Sequence, residues 1–364
     1  MPTKDDLRYF QSMPLELKIA FTMQRLREWV GWFGANYVYV SFSGGKDSTV
    51  LADLYAKFCK EFGYEMWLAF VNTGLEYPEI QKFVKGYAEY LQQKYGIVVH
   101  LEILRPKMRF DEVIKKYGYP VISKEISECV EQGRKALERN DGSYDYRLKK
   151  LQGTALDKDG NLSKFNKAKY EPLLYTDFVS SSQCCAVMKK KPAKQYAKKT
   201  GKVPITAQMA AESQLRTQQW LKNGCNGFDM KAPISNPMSF WTEQDVLQYI
   251  KKYNIPIASV YGEVVERDDD GNEYDATLLG NDCGELHTTG CDRTGCIFCA
   301  FGCHLEKEPS RFQRLKETHP RQYEYCIGGG EYVDGIWQPS KEGLGMGHVF
   351  DELNKIYGDG FIKY

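Results

Sequence analysis

Runs of apolar residues alternate with amphipathic stretches over the first part of the chain. Short apolar runs predict three buried strands, at 37–40, 65–71 and 97–104. Apolar residues at helical spacing predict three helices, at 14–33, from Ser48 to about Phe62, and from about Pro78 to Tyr95. Strands that alternate with helices predict an α/β fold with a doubly wound parallel sheet, which binds its ligands at the carboxyl ends of the strands.

The middle of the chain is polar and has no clear period. Residues 130–174 have this character, which predicts an insertion or a mobile loop. Two acidic strings, 157–161 and 268–272, resemble calcium-binding loops. Both carry glycine at the fourth place, whereas a calcium loop needs it at the sixth, so we expect two solvated turns.

Regular structure returns after the polar stretch. A strand is predicted at 203–206 and a helix from 209 to 221. A further helix is predicted to begin after Thr242, which suits an N-cap, with Asp245 at the third helical position. This helix is predicted to end before Pro256. The region 256–364 is rich in glycine, cysteine and aromatic residues, which predicts a less regular part.

Composition and charge exclude several classes of protein. The 364 residues include 49 basic and 48 acidic ones, and the net charge of +1 provides no global field that would recruit nucleic acid. The start of the chain has no apolar signal core, and no apolar run approaches the roughly 18 residues of a membrane helix. We therefore expect a cytoplasmic protein without a membrane partner. Five of its 11 cysteines crowd between Cys283 and Cys303, which favours a metal or redox site over disulfides.

The stretch from Ser41 to Ser48 joins the first predicted strand to a helix and contains the adjacent glycines Gly44 and Gly45. Glycines let the backbone approach a ligand, and the following helix N-terminus offers free amide groups that suit a phosphate. Lys46 adds a positive charge, and serine hydroxyls add further donors. The spacing does not match a Walker A loop. The stretch therefore predicts a phosphate site in an α/β nucleotide-binding domain at 37–255, after a leading helix in 1–36.

The cysteines form two groups, an adjacent pair and a later cluster. Two thiolates two residues apart, as in Cys296 and Cys299, can bind one metal ion or one cluster. One grouping is local and adds Cys291 and Cys303, and spacing alone slightly favours it. The other grouping adds the distant pair Cys184–Cys185.

Several motifs resemble known families. The stretch Ser43–Ser48 resembles the PP-loop of the ATP pyrophosphatases, which belong to the Rossmann-like adenine nucleotide alpha hydrolase-like superfamily. Further stretches resemble the phosphoadenosine phosphosulfate (PAPS) reductase family and the iron–sulfur adenylylsulfate (APS) reductases. They are 71–78, Ser123–Glu125, Cys184–Lys189 with Pro192, Ala210–Ser213 with Arg216, and Gly295–Cys296 with Cys299.

The resemblance implies a set of metal ligands. In APS reductases, a Cys-Cys pair and a later Cys-x-x-Cys bind a [4Fe-4S] cluster, and a lysine four residues after the pair lies close to it. The ligands implied here are Cys184, Cys185, Cys296 and Cys299, with Cys291 and Cys303 as reserves. Lys189 is the implied charged neighbour. A zinc ion is the runner-up, because four thiolates suit Zn²⁺ equally well.

Two departures separate the chain from the reductases. Those enzymes use a cysteine in a C-terminal Glu-Cys-Gly-(Leu/Ile)-His tail, and this chain has no cysteine after Cys326. Met209 stands where the family has an arginine. The complete PP-loop, often degraded in reductases, favours ATP as the substrate. The resemblance then extends to sulfur-inserting relatives, such as the iron–sulfur DNA phosphorothioation enzyme and the tRNA thiolases.

This resemblance implies an enzyme that uses ATP and Mg²⁺ to adenylate an acceptor for sulfur transfer. Lys46, Asp47, Lys124 and Arg216 are the implied catalytic residues. The implied nucleotide-binding residues are Ser41, Ser43, Gly44, Gly45, Lys46, Asp47, Ser48, Asn72, Thr73, Gly74 and Glu212. Of these, the Asn72–Gly74 stretch would bound the adenosine, whereas Lys124, Glu212 and Arg216 would face the acceptor.

Two alternative functions stay open at this point. One is an APS or PAPS reductase whose nucleophile lies elsewhere, such as at Cys326. The other is a non-catalytic ATP-binding subunit of a sulfur-modification or defence complex. The expected partners are ATP and a sulfur donor such as a cysteine desulfurase, and an oligomer is compatible with the sequence. The lysines between Lys189 and Lys199 suit a nucleic-acid backbone, although a solvated helix face is the more common meaning of such a run.

Overall fold

The computed structural model describes residues 2–139, 141–267, 273–274 and 285–364. The predicted turn at 268–272 and Cys283 lie outside these residues. The chain divides into two compact units. The first unit comprises Met1–Asn72, Glu76–Arg105 and Pro192–Thr294, and the second comprises Thr73–Leu75, Pro106–Lys191 and Gly295–Tyr364. The domain boundaries inferred from the sequence stay a prediction.

The secondary structure of the described residues consists of α-helices, short strands and a few 3₁₀ turns. The helices are α1 (Lys4–Gln11), α2 (Leu15–Phe33), α3 (Lys46–Phe62), α4 (Pro78–Tyr95), α5 (Phe110–Tyr117), α6 (Lys124–Arg139), α7 (Asp145–Leu151), α8 (Lys191–Thr200), α9 (Gln214–Asn223), α10 (Glu243–Lys252), α11 (Arg311–Thr318), α12 (Pro320–Ile327) and α13 (Met346–Tyr357). The strands are β1 (Val38–Ser41), β2 (Met66–Val71), β3 (Val99–Leu104), β4 (Val121–Ile122), β5 (Val203–Ile205), β6 (Asn226–Gly227), β7 (Ile234–Ser235), β8 (Val264–Arg267), β9 (Glu273–Tyr274), β10 (Glu285–Thr288), β11 (Ala300–Phe301), β12 (Glu331–Val333) and β13 (Ile336–Gln338). Within these described ranges, no helix has the length and apolar character that a membrane crossing requires.

The first unit is built on a six-stranded sheet with the order β3-β2-β1-β5-β7-β6. Its neighbouring strands run parallel except for β6, which is antiparallel to β7. The chain moves outward from β1 to β3 and then returns to the other side of β1 through β5. The sheet is therefore doubly wound, as predicted, and its topological switch point lies between β1 and β5.

The core of this unit is formed by the central strands and the helices packed on them. Val38 and Val40 of β1 and Leu51 of α3 are fully buried. Helix α2 contributes the buried Trp29, which agrees with the predicted packing role of a leading helix.

A buried ion pair links α2 to α10 in the same unit. Thr242 and Asp245 form the predicted capping box at the start of α10. Asp245 also accepts a hydrogen bond from Lys18 Nζ at 2.6 Å, and both side chains are almost fully buried. The sequence did not indicate this partner, because Lys18 lies 227 residues earlier.

The second unit shows that the expected irregular structure over 130–174 is wrong in part. Helix α6 continues to Arg139, and α7 follows it. Gly133 of α6 lies close to Leu151 of α7 and to Leu174, which follows α7. A Cβ at Gly133 would lie 3.1 Å from the Leu151 side chain and 2.9 Å from the Leu174 side chain, so the packing there is tight. Only a few small or apolar residues make this packing, and most of the remaining residues are polar. The helical spacing of the apolar residues was therefore not evident in the sequence. The turn at 157–161 forms as predicted, with Asp157 Oδ1 accepting two backbone N–H bonds.

The C-terminal part of this unit contains short strands and helices that the sequence did not predict. Phe312 of α11 and Phe350 of α13 are fully buried, with ring centroids 4.8 Å apart. Strand β11 pairs in parallel with β4, so residues 300–301 join 121–122.

Candidate functional site

The glycine loop follows β1 directly and opens α3. Gly44 has a φ of +75°, a left-handed conformation that favours glycine, and a Cβ there would lie 2.8 Å from side-chain carbons of Ile80 and Val84. Gly45 is the N-cap of α3. The hydroxyls of Ser43 and Ser48 share a hydrogen bond of 3.0 Å across the loop. Glycine is thus required at Gly44 both for the backbone turn and for the contact with α4.

Lys46 is held by groups from distant parts of the first unit. Its Nζ donates to the backbone carbonyl of Asp292 at 2.6 Å and lies 2.8 Å from Glu243 Oε1. Its backbone N–H donates to the hydroxyl of Tyr261 at 3.2 Å, and that hydroxyl shares a 2.6 Å hydrogen bond with Thr294. The sequence indicated Lys46 but none of its three partners or Thr294, which lie about 200 or more residues away.

Asp47 has an unusual carboxylate. Its Oδ1 is buried, accepts no hydrogen bond from any described residue, and lies 3.9 Å from Lys46 Nζ. Burial raises the pKa of Asp47, and the positive charges of Lys46 and Arg293 oppose that shift. A buried carboxylate oxygen without a partner suits Mg²⁺, which binds proteins through one or two carboxylates and takes its other ligands from phosphate and water.

Three charged residues meet beyond the carboxyl end of β5. Glu212 forms ion pairs with Arg216 and with Arg293, the latter at 3.3 Å. Burial lowers the pKa of Arg216. The positive charge of Arg293 lowers that pKa further, because both guanidinium groups lie beside Glu212. The structure thus brings the predicted Glu212 and Arg216 together, and it adds Arg293, which sequence reasoning missed.

The remaining predicted nucleotide-binding residues lie at strand ends. Ser41 ends β1, and Asn72 follows the neighbouring strand β2, where its backbone N–H donates to Leu104 O at 2.8 Å. Thr73 and Gly74 belong to the second unit. There, the carbonyl of Leu75 accepts the N–H of Ile297 at 2.8 Å, within the Cys-x-x-Cys stretch.

A second candidate site lies in the second unit and consists of thiols. The hydrogen bond with Cys185 and burial raise the pKa of Cys184, and the thiols of Cys296 and Cys299 raise it further. The four cysteines of the long-range grouping therefore lie in one part of the second unit. A single π-helical turn, Ala186–Lys190, directly follows the Cys184–Cys185 pair.

Positive charge accompanies these thiols. The hydrogen bond from Cys184 lowers the pKa of Cys185, and the ammonium groups of Lys124 and Lys189 lower it further. Lys189 therefore lies near Cys185, and its role beside a cluster stays a prediction. Lys124, at the start of α6, was expected to face the acceptor, and the structure places it beside Cys185.

The reserve cysteines have different surroundings. Cys303 donates to the carbonyl of Ala300 at 3.0 Å, and burial raises its pKa to about 12. Cys291 belongs to the first unit, where its N–H donates to Val260 O at 3.0 Å. In the part of the chain that the structure describes, no three histidine, cysteine, aspartate or glutamate side chains are arranged to hold one metal ion. A metal centre at the thiols therefore stays a prediction, for which the four-thiol donor set is suited to iron–sulfur or zinc chemistry.

The protein therefore has a doubly wound α/β fold, and a glycine loop of a kind suited to a phosphate lies at the switch point of its sheet. Residues 37–143 and 143–301 match the family model described as "Phosphoadenosine phosphosulfate reductase domain". The chain therefore belongs to this family, which is part of the adenine nucleotide alpha hydrolase-like superfamily. Comparison with the curated proteins gives no match. Membership indicates an enzyme that acts on a nucleotide in sulfur-related chemistry.

Proposed function

We propose that the protein is a PP-loop ATP pyrophosphatase, which adenylates an acceptor and releases pyrophosphate so that sulfur can then be transferred to the acceptor. One observation carries this proposal: the loop keeps every phosphate-suited group, and Lys46 stands at the N-terminus of α3 beside them. Substrates without a β,γ-pyrophosphate have no need of so complete a cradle.

The proposed chemistry has two steps. An acceptor oxygen attacks the α-phosphorus, and the bond between the α-phosphorus and the bridging oxygen to the β-phosphorus breaks. Lys46 and the loop N–H groups stabilise the charge that develops on the departing pyrophosphate. Arg216 lies near Asp47 and is suited to orient the α-phosphate. In the second step, the terminal sulfur of a persulfide, such as that of a cysteine desulfurase, attacks the adenylated atom of the acceptor. AMP leaves with the acceptor oxygen, and an external thiol reduces the resulting S–S bond, which frees the donor cysteine.

Asp47 is the residue that would hold Mg²⁺. The ion would supply positive charge to the phosphate oxygens when it is bound. The unpartnered Oδ1 of Asp47 supports this assignment, because a cation would offset the cost of its burial.

We also propose a [4Fe-4S] cluster on Cys184, Cys185, Cys296 and Cys299, with zinc as the runner-up. The thiols of Cys185, Cys296 and Cys299 all raise the pKa of Cys184, and this supports the grouping. Anaerobic purification should give a brown protein whose iron is lost in Cys184→Ser and kept in Cys291→Ser. A colourless protein with stoichiometric zinc would exclude the cluster.

The nucleotide proposal is tested with ATP labelled at the α or the γ phosphorus, in the presence of Mg²⁺. We expect AMP, or an adenylated acceptor, together with pyrophosphate. Lys46→Ala should weaken ATP binding by about 10- to 100-fold, since it removes a charged hydrogen-bond donor. Lys60→Ala is the matched control, because Lys60 is an exposed lysine on the same helix. Equal ATP binding and turnover by the two variants would refute the site.

The runner-up is an APS or PAPS reductase, which the family match favours. Its nucleophile would be Cys326, but this thiol is 0% exposed and lies 3.5 Å from Met346 Sδ. Burial raises the pKa of Cys326 well above its ordinary value, which opposes thiolate chemistry. Release of sulfite from APS with thioredoxin would favour the reductase, whereas ATP binding with no product would favour a non-catalytic subunit.

The acceptor class, the partners and the cellular location belong to the same proposal. A nucleic acid or a small molecule is the acceptor, and the cytoplasm is the expected location. Incubation of the protein with ATP, a cysteine desulfurase and either tRNA or DNA, followed by mass spectrometry of the nucleosides, identifies the acceptor class.

A further inference from the structure

We propose that Arg293 binds a phosphate group of the nucleotide, as a second guanidinium beside Arg216. This inference rests on the proposed function, because it concerns the same site, and it adds a residue that neither the motifs nor the resemblance indicated.

The residues on both sides of Arg293 are bonded to the glycine loop, Asp292 through its backbone and Thr294 through its side chain. On one side, the carbonyl of Asp292 accepts a hydrogen bond from Lys46 Nζ at 2.6 Å. On the other side, Thr294 bonds the hydroxyl of Tyr261, which in turn accepts the backbone N–H of Lys46. Because Lys46 holds both neighbours, Arg293 has a defined place beside the loop.

The segment before Arg293, residues 290–291, packs closely against the backbone of residues 260–261. The N–H of Gly290 donates to Tyr261 O at 2.9 Å, and the N–H of Cys291 donates to Val260 O at 3.0 Å. A Cβ at Gly290 would lie 2.4 Å from Val260 O, so only glycine fits there. These backbone bonds hold the segment in place independently of the Arg293 side chain.

The guanidinium of Arg293 is available to a ligand. Its side chain is 58% exposed, and among the described residues it bonds Glu212 at 3.3 Å. The same carboxylate also pairs with Arg216 and accepts the N–H of Met209 at 3.0 Å. One carboxylate is therefore shared by two guanidinium groups, and each of them keeps N–H donors for a further acceptor.

The donors that remain on these two guanidinium groups favour a phosphate. A guanidinium presents a planar fork of donors that matches phosphate oxygens, and two forks can hold two oxygens of one group. Both arginines also act electrostatically on Asp47, the residue that follows Lys46. The two arginines therefore lie near the glycine loop, which is the proposed pyrophosphate cradle. The α-phosphate of a bound nucleotide would lie on this side of the loop.

The test compares ATP and adenosine binding by isothermal titration calorimetry in the wild type, Arg293→Ala and Arg293→Lys. We expect Arg293→Ala to weaken ATP binding about 10-fold or more, since a charged hydrogen bond is lost, and to leave adenosine binding unchanged. Arg293→Lys should be intermediate, because it keeps the charge without the fork. Arg27→Ala is the control, since Arg27 is an exposed arginine with one long ion pair, 3.4 Å from Glu61.

The outcomes separate the two proposals. Wild-type ATP affinity in Arg293→Ala, with ATP bound normally by the wild-type protein, would overturn the role of Arg293 alone. An equal loss of ATP and adenosine binding would also overturn it, because a phosphate contact cannot act on adenosine. If the wild type binds no ATP, the proposed function fails and this inference fails with it.

Discussion

Gly44 offers a direct test of how the phosphate loop is supported. The substitution Gly44→Ala adds one methyl group to a residue with a φ of +75°. The new Cβ would lie 2.8 Å from the Cγ2 atoms of both Ile80 and Val84 on α4. The variant therefore combines a backbone penalty with a steric clash against the neighbouring helix.

The two penalties are separable in magnitude. A left-handed conformation costs a non-glycine residue about 1–2 kcal/mol. Overpacking against a well-packed neighbour adds typically about 1–3 kcal/mol. We therefore expect Gly44→Ala to lower the free energy of unfolding by about 2–5 kcal/mol.

Gly63→Ala isolates the backbone penalty. Gly63 ends α3 with a φ of +68°, and a Cβ there would meet no atom within 4 Å. Urea unfolding of both variants, with unchanged slopes, measures the difference directly. Gly63→Ala should cost about 1–2 kcal/mol. If Gly44→Ala costs no more than Gly63→Ala, the loop does not rest on α4 as described.

Three further substitutions test other parts of the structure. Lys18→Met leaves Asp245 buried without its cation and should cost about 3–5 kcal/mol in urea unfolding. Tyr261→Phe removes the acceptor of the Lys46 N–H and should cost about 1–3 kcal/mol, seen as a lower melting temperature. The hydrogen bond from Lys150 lowers the pKa of Glu125, so its stabilisation is complete at neutral pH and is lost as the pH falls through the folded-state pKa. Glu125→Gln should therefore show a smaller loss of stability as the pH falls below the ordinary glutamate pKa of about 4.3, and an unchanged pH profile would contradict this assignment.

Local features of the chain were predictable because their causes are local. The predicted helix from Pro78 to Tyr95 has the bounds of α4, and the predicted cap at Thr242 forms. Hydrophobic period, capping residues and glycine turns act within a few residues, so the sequence contains them directly. The expected irregular stretch at 130–174 failed for the opposite reason, since α6 packs through a few residues whose period is diluted by a polar face.

The partners of the site residues were not predictable in this way. Lys46 bonds groups at Glu243, Tyr261 and Asp292, and no local pattern relates these positions. For the cysteines, spacing alone favours a local grouping, whereas the family resemblance implied the long-range one. Cys296 and Cys299 lie more than 100 residues after Cys184 and raise its pKa, and the set of metal ligands stays a prediction.

Strand order, rather than motif spacing, assembles the candidate phosphate site. Val40 of β1 pairs in parallel with Ile205 of β5, so both strands end at the same edge of the sheet. The loop after β1 leads to Lys46, and the segment after β5 leads to Glu212 and Arg216. Because parallel neighbours direct their carboxyl ends to one side, these two segments have to meet once β5 lies beside β1. Any sequence change that kept the loop but broke this pairing would preserve the motif and lose the site.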